Sequence, residues 1–158
     1  MTSAGGGGGG RRARVWAARD GVFLASMTTD TDGAWHVGPL ALHLPKPVRA
    51  DALGAAALRA LSASADDGSG GEVAAEECLR RLSTHLPAGL RATWHAATPA
   101  LLVTVAEGKR TAVVAADIPP GDAAAPRPPT PNATATAGLT AEGLGRLLAN
   151  RLTGPSRG

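Results

Sequence analysis

Short apolar runs separated by turn residues come first along the chain. "ARVWAA" and "VFLASM" are β-prone stretches divided by Arg19-Asp20-Gly21, and an Asp-Gly pair between such runs signals a hairpin. "TTDTDG" predicts a second reversal at Asp32-Gly33, leading into "AWHVGPLALHL", Ala34 to Leu44, a strand interrupted by Gly38-Pro39. The expectation is a three-stranded meander from Arg14 to Leu44. Pro45 and Pro47 close it, because neither carries the N–H that a central strand needs.

The hydrophobic period then lengthens. Leu53, Ala57, Leu61 and Ser64 fall on one helical stripe with Leu58 beside it, which predicts a helix from Ala50 to Ser64. Asp51 lies in its first turn, where the helix dipole favours a carboxylate. "SADDGSGG", Ser64 to Gly71, reads as a flexible link. A second helix is expected over Glu72 to Leu86, with Leu79, Leu82 and Leu86 on one side and Glu76–Arg80 and Glu77–Arg81 spaced for ion pairs on the other.

Three more β-prone runs follow, at Leu90 to Ala97, Leu101 to Ala106 and Thr111 to Ala116, with "EGKR" as a turn between the last two. The Pro- and Ala-rich stretch 117–138 has almost no periodicity and is expected to be a loop. Thr140 is a candidate N-cap for a last helix, Ala141 to Leu152, whose Leu144, Leu148 and Leu152 form its buried stripe. The order β-β-β-α-α-β-β-β-α predicts an α+β fold: an antiparallel meander sheet with three helices packed on one face, in two similar βββα-like halves.

The two halves end on an echoed helix. "RADALGAAALRAL" and "TAEGLGRLLANRL" share Ala50/Ala141, an acid at Asp51/Glu142, Leu53/Leu144, Gly54/Gly145 and Leu61/Leu152 when aligned without gaps. A glycine in the first turn costs about 1 kcal/mol relative to alanine in a helix interior, so something must offset it. Close approach of each helix to its own meander is the expected reason.

Composition narrows the picture. The chain has 158 residues, of which 44% are hydrophobic and only 3% aromatic, so the core must be built from Leu, Val and Ala around Trp16, Phe23, Trp35 and Trp94. Its length suits one domain, placed at 13–153, between a Gly/Arg-rich tail at 1–12 and a short tail at 154–158, both expected to be disordered. The formal charge is +3, with 16 basic against 13 acidic side chains, and three of the arginines cluster in "RRAR". That cluster reads as a solvated basic tail, and nucleic acid is not an expected partner except through it. One cysteine cannot make an internal disulfide, and no run approaches the roughly 20 apolar residues of a membrane span, so a soluble cytoplasmic protein is expected.

Candidate chemistry is sparse. His36, His43, His85 and His95 show no metal-ligand spacing, and His36 and His43 should point to opposite faces of a regular strand. Cys78 lies on the leucine side of the middle helix and reads as a buried apolar filler. The six-glycine run has no strand before it and no Lys-Ser/Thr after it, so it is no phosphate loop. No catalytic residue, cofactor or metal is expected, and the chain reads as a non-enzymatic binding protein.

Taken in order, these features resemble the CdiI-type immunity proteins of bacterial contact-dependent growth inhibition systems, over most of Arg14 to Leu152. The matching features are Trp35 near a turn, Pro45, Asp51, Leu53-Gly54, Ala57, Leu61 and Ser64, then Thr140, Glu142, Leu144-Gly145 and Leu148 in the last helix. The resemblance implies a cytoplasmic protein that binds and occludes a cognate toxin C-terminal domain, often a nuclease. It assigns no partner-contact residues, since the matched positions are core ones; contacts are expected from the Asp30–Asp32 turn, the "SADDG" link or the 117–138 loop. A small basic nucleic-acid-associated protein is the alternative reading.

Overall fold

The computed structural model describes residues 10–18, 21–84, 100–117 and 134–153. Its elements are β1 (Arg11–Ala18), β2 (Gly21–Thr29), β3 (Trp35–Pro45), α1 (Ala50–Ala63), α2 (Glu72–Ser83), β4 (Ala100–Val105), β5 (Thr111–Asp117), β6 (Thr134–Gly138) and α3 (Ala141–Thr153). The strands form one antiparallel sheet in the order β3-β2-β1-β4-β5-β6. This is the α+β fold that the pattern predicts. Each meander folds outward from the centre, and the two meet where β1 pairs with β4.

The helices do not share one face. All nine residues of β2 are buried, so this strand presents apolar side chains both ways and needs cover on both faces. On the first face Val15, Leu24, Val103 and Val114 pack beneath α1 and α3, which contribute Leu53, Leu61, Leu144 and Leu148. On the second face Trp16, Phe23, Met27 and Val37 pack against Cys78 and Leu82 of α2. The expectation of three helices on one face is therefore corrected to two and one. Each fully buried leucine on the first face contributes about 1.5–3 kcal/mol by leaving water.

Two βββα halves are present, but the second is β4, β5, β6 and α3, its third strand coming from the expected 117–138 loop and not from Leu90 to Ala97. The register sets Ala13 of β1 against Val103 of β4, and the offset between those partners matches that between Gly54 and Gly145 to within one residue. A pseudo-two-fold axis through this junction therefore carries α1 onto α3. The echoed glycines lie where the two helices cross. A Cβ on Gly54 would fall on the carbonyl oxygen of Ala141 and 2.8 Å from the Gly145 nitrogen, while one on Gly145 would fall on the carbonyl oxygen of Ala50 and 2.9 Å from the Gly54 nitrogen. The partner in the close approach is the other helix, not the helix's own meander. The echo "A-acid-x-L-G" is thus one contact written from both sides.

Other expectations shift by less. Strand β1 begins at Arg11, so Arg11 and Arg12 belong to the sheet and not to a tail. The last five residues of the expected 117–138 loop pair with β5 as β6, because Thr134-Ala-Thr-Ala-Gly138 is β-compatible although its apolar members are only alanines. β2 and β3 slip register between Ala25 and Met27, where Gly38-Pro39 interrupts β3. Thr140 caps α3 as expected, its hydroxyl accepting the Gly143 N–H at 3.0 Å. Glu77 pairs with Arg81 at 3.3 Å as spaced, but Arg80 turns to Glu77 at 3.6 Å and not to Glu76. The expected strand at Leu90 to Ala97, the end of the second helix at Leu86, and Trp94, His85 and His95 lie outside the described residues.

Candidate partner-binding surface

Two of the three segments expected to carry partner contacts meet at one end of the sheet. Strand β1 stops short of the end of β2, and the start of the 64–71 link takes its place: Thr28 and Ala65 form a parallel bridge, Thr29 N–H donates to Ala65 C=O at 3.2 Å, and Ala65 N–H donates to Met27 C=O at 3.3 Å. Ser64 seals the junction, donating to Met27 C=O at 2.6 Å and accepting Arg12 N–H at 2.8 Å. Thr29 then holds the link from the other side. Its hydroxyl donates to Asp66 at 2.9 Å and accepts the Gly68 N–H at 3.1 Å, while its carbonyl accepts the Gly70 N–H at 2.7 Å. The link that composition suggested to be flexible is therefore pinned along its length.

The β2–β3 turn beside it is organised by one carboxylate. Asp30 accepts N–H groups from Asp32 at 2.8 Å and Ala34 at 3.0 Å through one oxygen, and its other oxygen sits 2.8 Å from His36 Nε2. The hydrogen bond from His36, helped by those amides, holds its pKa below the ordinary value. Asp67 is lowered in the same way by the Ser69 hydroxyl and N–H. Asp32 and Asp67 remain exposed.

This end continues onto α2. Val73, on its first turn, is 81% exposed among Glu72, Glu76 and Glu77. At this end Asp30, Asp32, Asp66, Asp67, Glu72, Glu76 and Glu77 outnumber Arg12, Arg80 and Arg81, the last two of which pair with Glu77, so the overall +3 conceals a locally acidic region.

The residues singled out for chemistry do not converge. His36 and His43 pair with Thr28 and Phe23, on opposite faces of the sheet, and His43 lies edge-on to the Phe23 ring with centroids 4.9 Å apart. Among the described residues no three His, Cys, Asp or Glu side chains are grouped to hold a metal. Cys78 is buried, donates weakly to the Leu40 carbonyl at 3.8 Å, and its thiol is pushed up to about 11 by burial, against a smaller lowering by Arg81. The "RRAR" arginines are drawn into the fold: Arg12 lies over the half-buried Trp35 ring at 4.6 Å and Arg14 is 5.8 Å from the fully buried Trp16 ring.

Two cavities open at opposite ends of β1. One, of about 300 Å³, is apolar, lined by Val22, Val48, Leu53 and Leu152 with Lys46 nearby; the other, of about 360 Å³, is lined by Arg11, Glu107, Lys109 and Leu139. Neither places a nucleophile beside a base among the described residues. Sequence reasoning found the two surface loops but missed their meeting. The bridging contacts are mostly backbone groups, which have no sequence signature.

The fold and this surface define a class: an open six-stranded antiparallel α+β sheet with a twinned helix layer and an acidic loop end. No protein-family model matches the chain, and no curated sequence matches it. Among solved structures it is similar to a protein of unknown function from Neisseria meningitidis, at 15% identity and a TM-score of 0.63, covering 97% of this chain and 98% of that one. It is also similar to a chain of the CdiA-CT/CdiI toxin and immunity complex from Yersinia pseudotuberculosis, at 12% identity and a TM-score of 0.51, over 68% of this chain and 73% of that one. At these identities the likeness is one of fold. No helix among the described residues is long and apolar enough to cross a membrane.

Proposed function

We propose that this chain is a non-enzymatic immunity protein that binds and occludes the toxic C-terminal domain of a contact-dependent growth inhibition system, a nuclease in our reading, inside the cytoplasm. The observation that carries the reading is the fold likeness to a chain of a toxin and immunity complex. The meeting of two expected contact loops at one acidic end supports it, because a locally acidic, pinned surface complements the basic cleft of a nucleic-acid-cutting toxin. The alternative, a nucleic-acid-associated protein, is less favoured because Arg12 and Arg14 of "RRAR" lie against tryptophans, which leaves Arg11 as the exposed arginine of that cluster.

The test is capture. A toxin domain encoded next to this chain should form a complex at micromolar concentrations or below, and co-expression should rescue cells from it. Asp32→Arg should weaken capture at least tenfold while leaving the thermal midpoint unchanged, since its side chain is exposed. No detectable complex at micromolar concentrations would sink the proposal. Binding to DNA or RNA that falls steeply with salt would favour the alternative.

A further inference from the structure

The sheet is open, and its two edges are unlike. The β3 edge is interrupted by the Gly38-Pro39 irregularity, carries Pro39 and Pro45 without N–H groups, and is packed against α2. The β6 edge, Thr134–Gly138, contains no proline and no charge and pairs with β5 without interruption. Leu139 N–H donates to Arg110 C=O at 3.2 Å, which sets the phase of that ladder. Ala137 and Ala135 then bond inward to Ala112 and Val114, and the backbone groups of Thr134, Thr136 and Gly138 turn outward. Thr140 N–H takes the Gly138 carbonyl at 2.9 Å. Among the described residues nothing takes the N–H and C=O of Thr136.

We propose that β6 pairs antiparallel with the β6 strand of a second copy of this chain, about a two-fold axis at Thr136, so that two six-stranded sheets become one. The segment is self-complementary for that operation. Thr136 meets Thr136 with both outward groups in register, Ala135 opposes Ala137, and Thr134 opposes Gly138, so each face meets its like. The molecule already contains this junction once. At β1–β4 two βββα halves join antiparallel with one helix of each on the same face, and β6–β6 pairing repeats that arrangement.

Charge favours a second copy over a charged partner. β6 carries none, and Glu142 and Arg146 of the helix above it neutralise each other at 2.9 Å, so two copies meet without like-charge repulsion. Five residues of strand make a small interface, which belongs to the weak, concentration-dependent class. This inference stands apart from the immunity reading and does not require it.

Sedimentation of the full chain from micromolar to near-millimolar concentration is the test. The expected result is a rise toward twice the 15.7 kDa mass of the chain as concentration increases. Thr136→Lys, at an exposed position, sets two like charges against each other at the axis and should abolish the rise while keeping the circular dichroism spectrum and thermal midpoint. Thr136→Cys should cross-link to a dimer with a short bifunctional maleimide, because directly opposed residues of such a pair lie about 5.5 Å apart at Cα. Cys78 is buried and should not compete. A chain that stays at 15.7 kDa throughout, a dimer that survives Thr136→Lys, or a Thr136→Cys protein that does not cross-link overturns the proposal. So does a monomer whose Thr136→Lys variant loses toxin capture, since the edge would then belong to the toxin domain.

Discussion

The two halves of the molecule share a plan and differ in how completely they use it. In the first, β1, β2, β3 and α1 are backed on the second face by α2, and Trp16, Phe23, Met27 and Val37 fill the space between. In the second, β4, β5, β6 and α3 keep the helix layer, but β5 alternates buried and exposed positions and leaves Val113 39% exposed. Among the described residues, then, only the helix layer is common to both. That is the layer in which the sequence echo lies, so the echo reports the junction of the halves and not a feature of either one.

The harshest way to break the junction is at the glycines. In an exposed helix Gly→Ala stabilises by about 1 kcal/mol. At Gly54 or Gly145 the added methyl meets the other helix's backbone, which cannot swing away as a side chain can. Gly54→Ala and Gly145→Ala should each destabilise by at least about 3 kcal/mol, and Gly54→Leu should abolish cooperative folding. Because the two positions touch each other, the double alanine variant should cost less than the sum of the singles. Urea unfolding measures all of these, and a neutral Gly145→Ala would refute the crossing.

Next in size is the asymmetry of the second face. Leu82→Ala removes a fully buried side chain where α2 meets β2 and β3, and should cost about 2–5 kcal/mol. Val113→Ala, on the same side of the sheet but in the second half, should stay within about 0.5 kcal/mol. Equal costs would mean that the second face is covered alike in both halves.

A smaller comparison concerns the helix starts. Thr140 caps α3 through its hydroxyl, whereas α1 starts at Arg49, in extended conformation with no side-chain cap. Thr140→Ala should lower stability by about 1 kcal/mol, and Arg49→Thr should raise it by about 0.5 kcal/mol, because it supplies the missing acceptor and loses only an exposed pair with Asp51. Thermal midpoints of the two variants should move in opposite directions.

Much of this was legible in the chain. Local signals carried the hairpins at Asp32-Gly33 and Gly108, both α1 and α3 stripes and the Thr140 cap, because turn chemistry and period are written within a few residues. What the pattern did not reveal depends on partners distant in sequence. That Gly54 faces Gly145, that α2 crosses to the second face, and that the 64–71 link replaces β1 beside Thr28 are all long-range facts. β6 was missed for another reason: Thr-Ala-Thr-Ala-Gly buries too little to stand out from the Pro/Ala-rich stretch before it. The two loops could be read as exposed turns, but their meeting could not be read from either one.

The smallest effect is a pH dependence that belongs to the first half's loops, where both shifted carboxylates, Asp30 and Asp67, lie. A carboxyl whose folded pKa is depressed adds stability that is present above its ordinary value and is lost as pH falls through the folded one. For Asp30 the loss should therefore begin near pH 3.8 and continue below it, as protonation removes the acceptor for His36, Ala34 and Asp32. Asp30→Asn should remove part of this acid limb and, because the contribution is present at neutrality, lower the thermal midpoint slightly there as well. An NMR titration of the Asp30 carboxyl carbon should place its midpoint below the usual carboxylate range. A midpoint at or above that range would show that the turn is not held by this carboxylate, and would leave the acidic end of the first half without its organising group.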